Sequence, residues 1–207
     1  MGGSSELSVA ICEYGAGNVR SVDVALRRLG VEAVITEDPD IVGAADLAIL
    51  PGVGAAGSAM RGLRERGLDR ALVERVDADR PTLGICVGLQ LSVERSEEDG
   101  GVECLGILPG TAVLLREGRV PRIGWAIVEP GGEGYYFAHS YAVETPAATR
   151  HSEGIVVEAV QGSFLGVQFH PEKSGNPGER FLARELGRVR AWKSGDADAA
   201  LTQAGGS

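Results

Sequence analysis

The sequence predicts an α/β protein with a single open, largely parallel sheet, helices on both faces and antiparallel additions. Three observations lead to this fold class. Short apolar runs with β-branched residues alternate with segments of helical periodicity in the first half, and glycine-rich breaks separate them. The second half consists of shorter β-like pieces divided by Gly and Pro. With 207 residues, of which 43% are hydrophobic, the chain is long enough for one sizeable core.

The first half follows a strand–turn–helix order. The run 7–13 predicts a strand, and the apolar positions after the turn at 15–18 predict a helix that ends near Gly30. A strand, a helix and a further strand in this order form a parallel pair. The other elements predicted here are strands at 31–35, 46–50 and 81–85 and helices at 57–76 and from 87 to about 95.

The second half predicts antiparallel strands in the same sheet and a closing helix at 178–192. Residues 194–207 are small and polar, which predicts a disordered tail after one domain that spans 1–193. The predicted strands of this half are 112–115, 123–128, 135–138, 155–160 and 164–169.

Composition excludes several classes of function. The net charge is −9 and Lys and Arg are not clustered, which argues against a nucleic-acid partner. No apolar run is long enough to span a bilayer and residues 1–6 lack signal-peptide features, so we expect a cytoplasmic protein that does not bind membranes. Cys12, Cys86 and Cys104 follow no C-x-x-C spacing, so we expect neither disulfides nor a metal site, and no cofactor.

Residues 84–88 carry the clearest chemical signal. They read G-I-C-V-G and join a predicted strand to a predicted helix, which is the pattern of a nucleophile elbow. Flanking glycines let neighbouring backbone pass close to a strained turn. The amides of the following helix would favour a thiolate at Cys86 and supply oxyanion donors. The alternative is that Cys86 is a small buried residue in a glycine-rich turn.

A cysteine nucleophile needs a base, and the chain contains three histidines. His170 follows a predicted strand, at the sheet edge where active sites of α/β proteins assemble. Glu172 is close enough in sequence to accept the other ring N–H, so a Cys-His-Glu triad is available. The alternative for His170, and our interpretation of His139 and His151, is a structural role: His139 lies among aromatic and hydroxyl residues and His151 in a solvated loop.

A second glycine-rich turn closes the strand 46–50. Residues 50–54 read L-P-G-V-G, and such a turn can present free backbone N–H groups to an oxyanion. A phosphate-binding role is the alternative, but the lysine and spacing of the G-x-x-x-x-G-K-[ST] pattern are absent, and 15–18 does not complete G-x-G-x-x-G.

Together, the segments 84–90 (G-I-C-V-G-L-Q) and 169–172 (F-H-P-E) resemble the class I (triad) glutamine amidotransferases. Within this family, further segments between residues 9 and 192 resemble the glutaminase subunits of imidazole glycerol phosphate synthase. Those segments are 14–21, 51–54, 120–125, 137–141 and 169–174.

The resemblance implies a glutaminase in histidine biosynthesis that forms a heterodimer with a (β/α)8-barrel cyclase and channels ammonia to it. It implies that Cys86 attacks the glutamine amide, that His170 protonates the departing ammonia, and that Glu172 orients His170. It also implies oxyanion amides at Gly52, Val53 and Val87, glutamine contacts from Gly54, Gln90, Ser140 and Tyr141, and a partner-facing group of Asn18, Trp125, Tyr136 and Lys173.

Three departures from the family pattern leave other functions open. Ala126 replaces a usual Asn, Ala56 replaces a frequent aromatic residue, and the stretch 143–153 is short. None of them involves the triad, so a paralogue that supplies ammonia to a different synthase is the main alternative. A cysteine hydrolase of related fold, in which His usually follows the nucleophile, is less consistent with Val87, and a scaffold protein would not need an intact triad.

Overall fold

A computed structural model describes residues 6–196 of the chain. Within this range the helices are α1 (Val19–Arg28), α2 (Pro39–Ala44), α3 (Ala56–Glu65), α4 (Leu68–Asp77), α5 (Val87–Gln90) and α6 (Gly175–Ser194). The strands are β1 (Val9–Cys12), β2 (Ala33–Thr36), β3 (Leu47–Gly52), β4 (Thr82–Cys86), β5 (Arg95–Ser96), β6 (Val102–Glu103), β7 (Thr111–Leu114), β8 (Arg122–Val128), β9 (Glu133–His139), β10 (Tyr141–Glu144), β11 (Ala148–Ser152), β12 (Ile155–Gln161) and β13 (Phe164–Val167).

A seven-stranded sheet forms the centre of the fold, with strand order β11-β12-β13-β4-β3-β1-β2. The five strands from β13 to β2 are parallel, whereas β11 and β12 add antiparallel pairs at one edge. Every residue of β1, β3 and β4 is buried, as expected for parallel strands that are covered on both faces. The predicted α/β fold with a largely parallel sheet is confirmed.

The remaining strands do not join this sheet, which corrects our expectation for 112–115, 123–128 and 135–138. β7 lies in a four-stranded sheet with order β10-β7-β5-β6, and β8 and β9 form a separate hairpin. Side chains along β9 alternate between buried and half-buried, so the hairpin covers the core with one face only. On that face Tyr135 stacks on Phe169, with 4.1 Å between ring centroids.

Two predicted helices are also shorter than expected. The helix expected at 57–76 is two helices, because Gly67 has a positive φ of 69° and ends α3 before α4 begins. The helix expected from 87 to about 95 stops at Gln90, and Arg95–Ser96 pairs as a strand instead. The closing helix runs from Gly175 to Ser194, two residues further than predicted, and the rest of the expected tail, 197–207, lies outside the described residues.

Arg75 in α4 is a buried cation without a carboxylate partner among residues 6–196. Its guanidinium donates hydrogen bonds to backbone carbonyls in the segments that precede β3 and β4 and to the hydroxyl of Thr82. Burial lowers the pKa of Arg75 to about 10, still far above neutral pH. The side chain therefore joins α4 to the segments that precede β3 and β4. The carbonyls are those of Val42, Gly43, Ala45 and Pro81.

Replacing Arg75 tests this role. We expect Arg75→Met to lower the free energy of unfolding by about 2–4 kcal/mol, because several buried carbonyls lose their donors at once. Urea denaturation measures the change. The exposed Arg70 on the same helix provides the matched control, and Arg70→Met should change stability by less than about 0.5 kcal/mol. If both variants lost the same free energy of unfolding, the buried hydrogen bonds of Arg75 would make no specific contribution to stability.

Candidate active site

The backbone at Cys86 is held in an unusual conformation. Cys86 ends β4 and precedes α5 with φ 54° and ψ −105°, a region that residues with a Cβ rarely occupy. Its side chain is only 2% exposed. Such strain persists only where the surrounding structure enforces it, and it is concentrated at functional sites.

The glycines around Cys86 allow this turn to pack against β3. A Cβ on Gly88 would collide with the carbonyl oxygen of Leu50, and a Cβ on Gly84 would lie 3.0 Å from the backbone of Gly88. These contacts give a physical reason for the G-x-C-x-G spacing. Because α5 contains only four residues, the extended helix dipole expected behind Cys86 is absent, and the local amides alone can polarise the site.

Cys86, His170 and Glu172 lie together at the carboxyl ends of β4 and β13. The Nδ1 atom of His170 lies 2.8 Å from Oε1 of Glu172, and both side chains are almost fully buried. Burial disfavours the imidazolium, but the Cys86 sulfur and the Glu172 carboxylate favour it more strongly, so the pKa of His170 rises to about 9. The arrangement can therefore hold a protonated imidazole against the sulfur of Cys86 at neutral pH.

The turn after β3 reaches the nucleophile side of the site. Gly52 is the register partner of Cys86 in the neighbouring parallel strand. A Cβ on Gly52 would lie 2.5 Å from the Cβ of Val87, so only glycine allows these two backbones to approach. Val53 follows at the protein surface. The three residues expected to carry or frame oxyanion amides are thus adjacent.

Tyr14 stabilises the end of β3 and the turn that follows it through a buried hydrogen bond. Its hydroxyl donates to the carbonyl oxygen of Pro51 at 2.5 Å, and the ring is buried. Burial, together with the nearby acidic groups, raises the pKa of Tyr14 far above its usual range, so the phenol remains a donor. Tyr14 belongs to the segment 14–21, but nothing in the sequence alone predicts this hydrogen bond.

Among the residues expected to contact glutamine, Gln90 is already engaged in hydrogen bonds within the protein. Its Nε2 donates to the carbonyl of Tyr141 at 2.7 Å and to Oε1 of Gln168 at 3.1 Å. Ser140 and Tyr141 follow β9 and are half-buried, and Gly54 has a positive φ of 94° in the turn before α3. The structure therefore brings Gln90 and Tyr141 into contact, with Ser140 next to Tyr141 in sequence, whereas Gly54 lies in the turn after β3.

Sequence reasoning missed two residues of the site. Gln168 is fully buried and its Nε2 lies 3.5 Å from the sulfur of Cys86. Glu98 lies in a turn whose carboxylates approach Tyr141, and its Oε2 accepts the N–H of Ala56 at the start of α3. Gln168 directly precedes F-H-P-E, which was a usable signal, whereas the position of Glu98 depends on tertiary packing.

Two of the four expected partner-facing residues pack against each other on the β8–β9 hairpin. Trp125 is 61% exposed, and its ring meets that of Tyr136 edge to face with 6.3 Å between centroids. Ile123 and Ile127 alternate with Trp125 along β8 and are also exposed, which gives the hairpin an apolar outer face. Exposed apolar surface of this kind is typical of interaction sites.

The other two expected partner-facing residues lie on a short helical turn and directly before α1. Lys173 is exposed on the turn Pro171–Lys173, which contacts both β9 and α1. Asn18 precedes α1, is half-buried, and accepts a hydrogen bond from the hydroxyl of Ser21 through Oδ1.

The remaining histidines and cysteines fit structural roles. Burial, with a smaller contribution from Arg122, lowers the pKa of His139 to about 4, so the ring is neutral and Nδ1 donates to the carbonyl of Tyr141. His151 is exposed, although it lies in β11 and not in the expected loop. Burial raises the pKa of Cys12 to about 12 and that of Cys104 to about 11.

Neither a cluster of metal-ligating side chains nor a membrane-spanning helix is found among the described residues. Between residues 6 and 196, no group of three or more His, Cys, Asp or Glu side chains is placed to hold a metal ion. Over the same range, the helices are too short or too polar to cross a bilayer.

Residues 10–188 match the family model for class-I glutamine amidotransferases. The chain therefore belongs to the class-I glutamine amidotransferase family, a family of glutamine-hydrolysing enzymes, which confirms the resemblance of its motifs. A crystal structure of a glutamine amidotransferase shares the fold, with a TM-score of 0.73 at 21% identity over 88% of this chain and 98% of that one. The structure of PurLQS from Thermotoga maritima gives a TM-score of 0.66 at 17% identity over 87% of this chain and 98% of that one.

Similar curated proteins narrow the assignment within the family. A protein of Symbiobacterium thermophilum is 42% identical over 84% of this chain and 91% of its own length. Proteins of Bacteroides fragilis and Exiguobacterium sibiricum are 43% and 44% identical, over 87% and 84% of this chain and 99% and 92% of their own lengths. All three are named imidazole glycerol phosphate synthase subunit HisH.

The raised pKa of His170 predicts a pH-dependent contribution to stability. A pKa raised from 6.5 to about 9 in the folded state means that this contribution is complete below about pH 6.5 and is lost as pH rises through about 9. We expect Glu172→Gln to remove about 1–2 kcal/mol of it, because the amide keeps the hydrogen bond but loses the charge. Unfolding free energies between pH 6 and 10 measure the difference.

The exposed His151 supplies the control for this measurement. His151→Asn should leave the pH dependence of stability as in the wild type. A constant difference between wild type and Glu172→Gln across the whole pH range would contradict the proposed charge on His170.

Proposed function

We propose that this chain is the glutaminase subunit of an imidazole glycerol phosphate synthase, acting in the cytoplasm in histidine biosynthesis. The observation that carries the chemistry is the buried group of Cys86, His170 and Glu172 at the strained end of β4. The observation that carries the pathway is the identity of 42–44% to proteins named as HisH subunits of that synthase. These relatives favour this pathway over a paralogue that serves a different synthase.

In the proposed reaction Cys86 attacks the side-chain carbonyl carbon of glutamine as a thiolate. The oxygen that becomes negative would be stabilised by the amides of Val53 and Val87, which Gly52 brings close together. His170 donates its proton to the departing nitrogen, ammonia leaves, and a glutamyl thioester remains on Cys86. Water, activated by the neutral His170, then releases glutamate and restores the thiol.

The surroundings of Tyr141 fit a free amino acid. Gln90 uses its N–H groups within the protein, and among residues 6–196 its Oε1 accepts no hydrogen bond, so that oxygen is left to accept from the ammonium of glutamine. The carboxylates of Glu97, Glu98 and Asp99 lie near Tyr141 and, after burial, are the main cause of its raised pKa. An acidic rim of this kind attracts the same ammonium.

We further propose that a (β/α)8-barrel cyclase docks on the apolar outer face of the β8–β9 hairpin and forms a heterodimer. That face adjoins the chemistry through β9. The carbonyl of Tyr136 accepts the N–H of His170 at 2.9 Å, and the N–H of Tyr136 donates to the hydroxyl of Ser174, which in turn donates to the carbonyl of His170. A partner that shifts Tyr136 therefore acts directly on the turn that carries His170.

Ammonia channelling gives a physical reason for a glutaminase and a cyclase to associate. In water ammonia becomes protonated and is no longer a nucleophile, so its transfer through a protein interior protects it. In this proposal Asn18, Trp125, Tyr136 and Lys173 would face the cyclase near the point at which ammonia leaves.

Glutamate release from glutamine tests the proposed reaction. We expect slow hydrolysis by the chain alone, strong stimulation by a cyclase that carries its ribonucleotide ligand, and a loss of at least about 10³-fold in Cys86→Ala and His170→Ala because triad members act as a unit. Cys104→Ala is the control and should retain full activity. Retention of activity in Cys86→Ala would refute the mechanism, whereas stimulation only by another synthase would refute the pathway.

Trp125 tests the docking face. Trp125→Ala should weaken cyclase binding by about 2 kcal/mol or more, because a large exposed aromatic residue at the centre of an apolar patch is a typical anchor. Calorimetric titration measures the affinity. Ile41→Ala, at an exposed apolar position on α2, is the control and should leave the affinity unchanged. Equal affinities of Trp125→Ala and wild type would exclude this face.

A further inference from the structure

Two buried glutamine side chains connect the substrate side of the site to the sulfur of Cys86. Gln90 and Gln168 are 4% and 0% exposed. Nε2 of Gln90 lies 2.7 Å from the carbonyl oxygen of Tyr141 and 3.1 Å from Oε1 of Gln168, and Nε2 of Gln168 lies 3.5 Å from Sγ of Cys86. We call Gln90 and Gln168 the amide chain.

The direction of the hydrogen bonds in the amide chain is fixed at one end. A backbone carbonyl can only accept, so the atom of Gln90 that faces Tyr141 must be its nitrogen. The same nitrogen faces Gln168, which must therefore present its oxygen to Gln90. The nitrogen of Gln168 then points at Cys86. The amide orientation next to the sulfur thus follows from the network and not from a free choice of rotamer.

A nitrogen donor at this place discriminates between the two forms of the sulfur. A thiol is a weak acceptor, whereas a thiolate accepts a charge-assisted hydrogen bond that is about twice as strong as a neutral one. Two other groups face Sγ: the imidazole of His170, which is the charged neighbour, and the carbonyl oxygen of Ala138 at 3.9 Å, which can accept the S–H of the thiol. The donor of Gln168 opposes that interaction and favours the ionised form.

We propose that Gln168 donates a hydrogen bond to the Cys86 thiolate and stabilises it for attack, and that Gln90 is a positioning residue that holds the Gln168 amide in the donating orientation. The proposal rests on the role of Cys86 as nucleophile. It extends the site beyond the triad. The carbonyl of Tyr141, on the side expected to bind glutamine, fixes the orientation of the Gln90 amide and through it that of the Gln168 amide next to the thiolate.

The rate of Cys86 alkylation by iodoacetamide between pH 5 and 10 tests the proposal on the full chain, with peptide mass spectrometry to identify the modified residue. In Gln168→Met, which keeps the length of the side chain but removes the donor, we expect the midpoint of the profile to move up by about one pH unit, so that the rate at pH values well below the wild-type midpoint falls about tenfold. Gln90→Met should give a smaller shift in the same direction, because the Gln168 amide can then rotate.

The control is Gln161→Met, at an exposed position at the end of β12, which should keep the wild-type profile. Cys12 and Cys104 provide internal references because burial keeps both thiols protonated over most of this range. A folded Gln168→Met variant with the wild-type profile would overturn the proposal. If Cys86→Ala still hydrolysed glutamine, the nucleophile assignment itself would fail, which is a different result.

A measurement on the wild type decides the question if Gln168→Met does not fold. In protein labelled with ¹⁵N-glutamine, the side-chain amide protons of Gln168 should shift over the pH range in which Cys86 becomes reactive, and the shift should vanish in Cys86→Ala. Amide protons that do not respond to pH in the wild type would refute the hydrogen bond to the thiolate.

Discussion

The site depends on one constraint, the left-handed backbone of Cys86 where β4 turns into α5. A residue with a Cβ adopts this conformation only when packing enforces it. Here the packing comes from β3, because Gly88 lies against the carbonyl of Leu50 and Gly52 lies against Val87. The strain at Cys86 and the close approach of β3 and β4 therefore depend on each other, and together they place the thiol next to the turn that follows β3.

The second half of the chain supplies the remaining groups to this edge. β13 pairs with β4 and ends at the segment that carries Gln168 and His170, so both side chains reach the sulfur from the neighbouring strand. β9 passes on the other side, with the carbonyl of Ala138 near the sulfur and that of Tyr136 bonded to the N–H of His170. The same strand carries Tyr136, whose ring meets that of Trp125 on the exposed apolar face, so a partner bound there would have a short physical route to the base.

The sequence alone predicted those features of the fold and of the site that depend on local patterns. Alternating apolar runs predicted the parallel sheet, and G-I-C-V-G with F-H-P-E predicted the residues that meet in the site. It failed where tertiary packing decides. The periodicity of 57–76 continues across the Gly67 break, and nothing in 112–138 reveals that these strands leave the main sheet. The buried cation Arg75 looks like an ordinary helix residue, since the carbonyls it binds are distant in sequence.

The role of Cys86 as nucleophile can be tested with the glutamine analogue 6-diazo-5-oxo-L-norleucine, which alkylates the nucleophile of a glutaminase irreversibly. The measurement is peptide mapping of the chain after inactivation in the presence of the proposed cyclase partner. We expect one label per chain, on Cys86, with loss of glutamate release in proportion to labelling. Complete inactivation with Cys86 unlabelled, or full activity with Cys86 labelled, would contradict it.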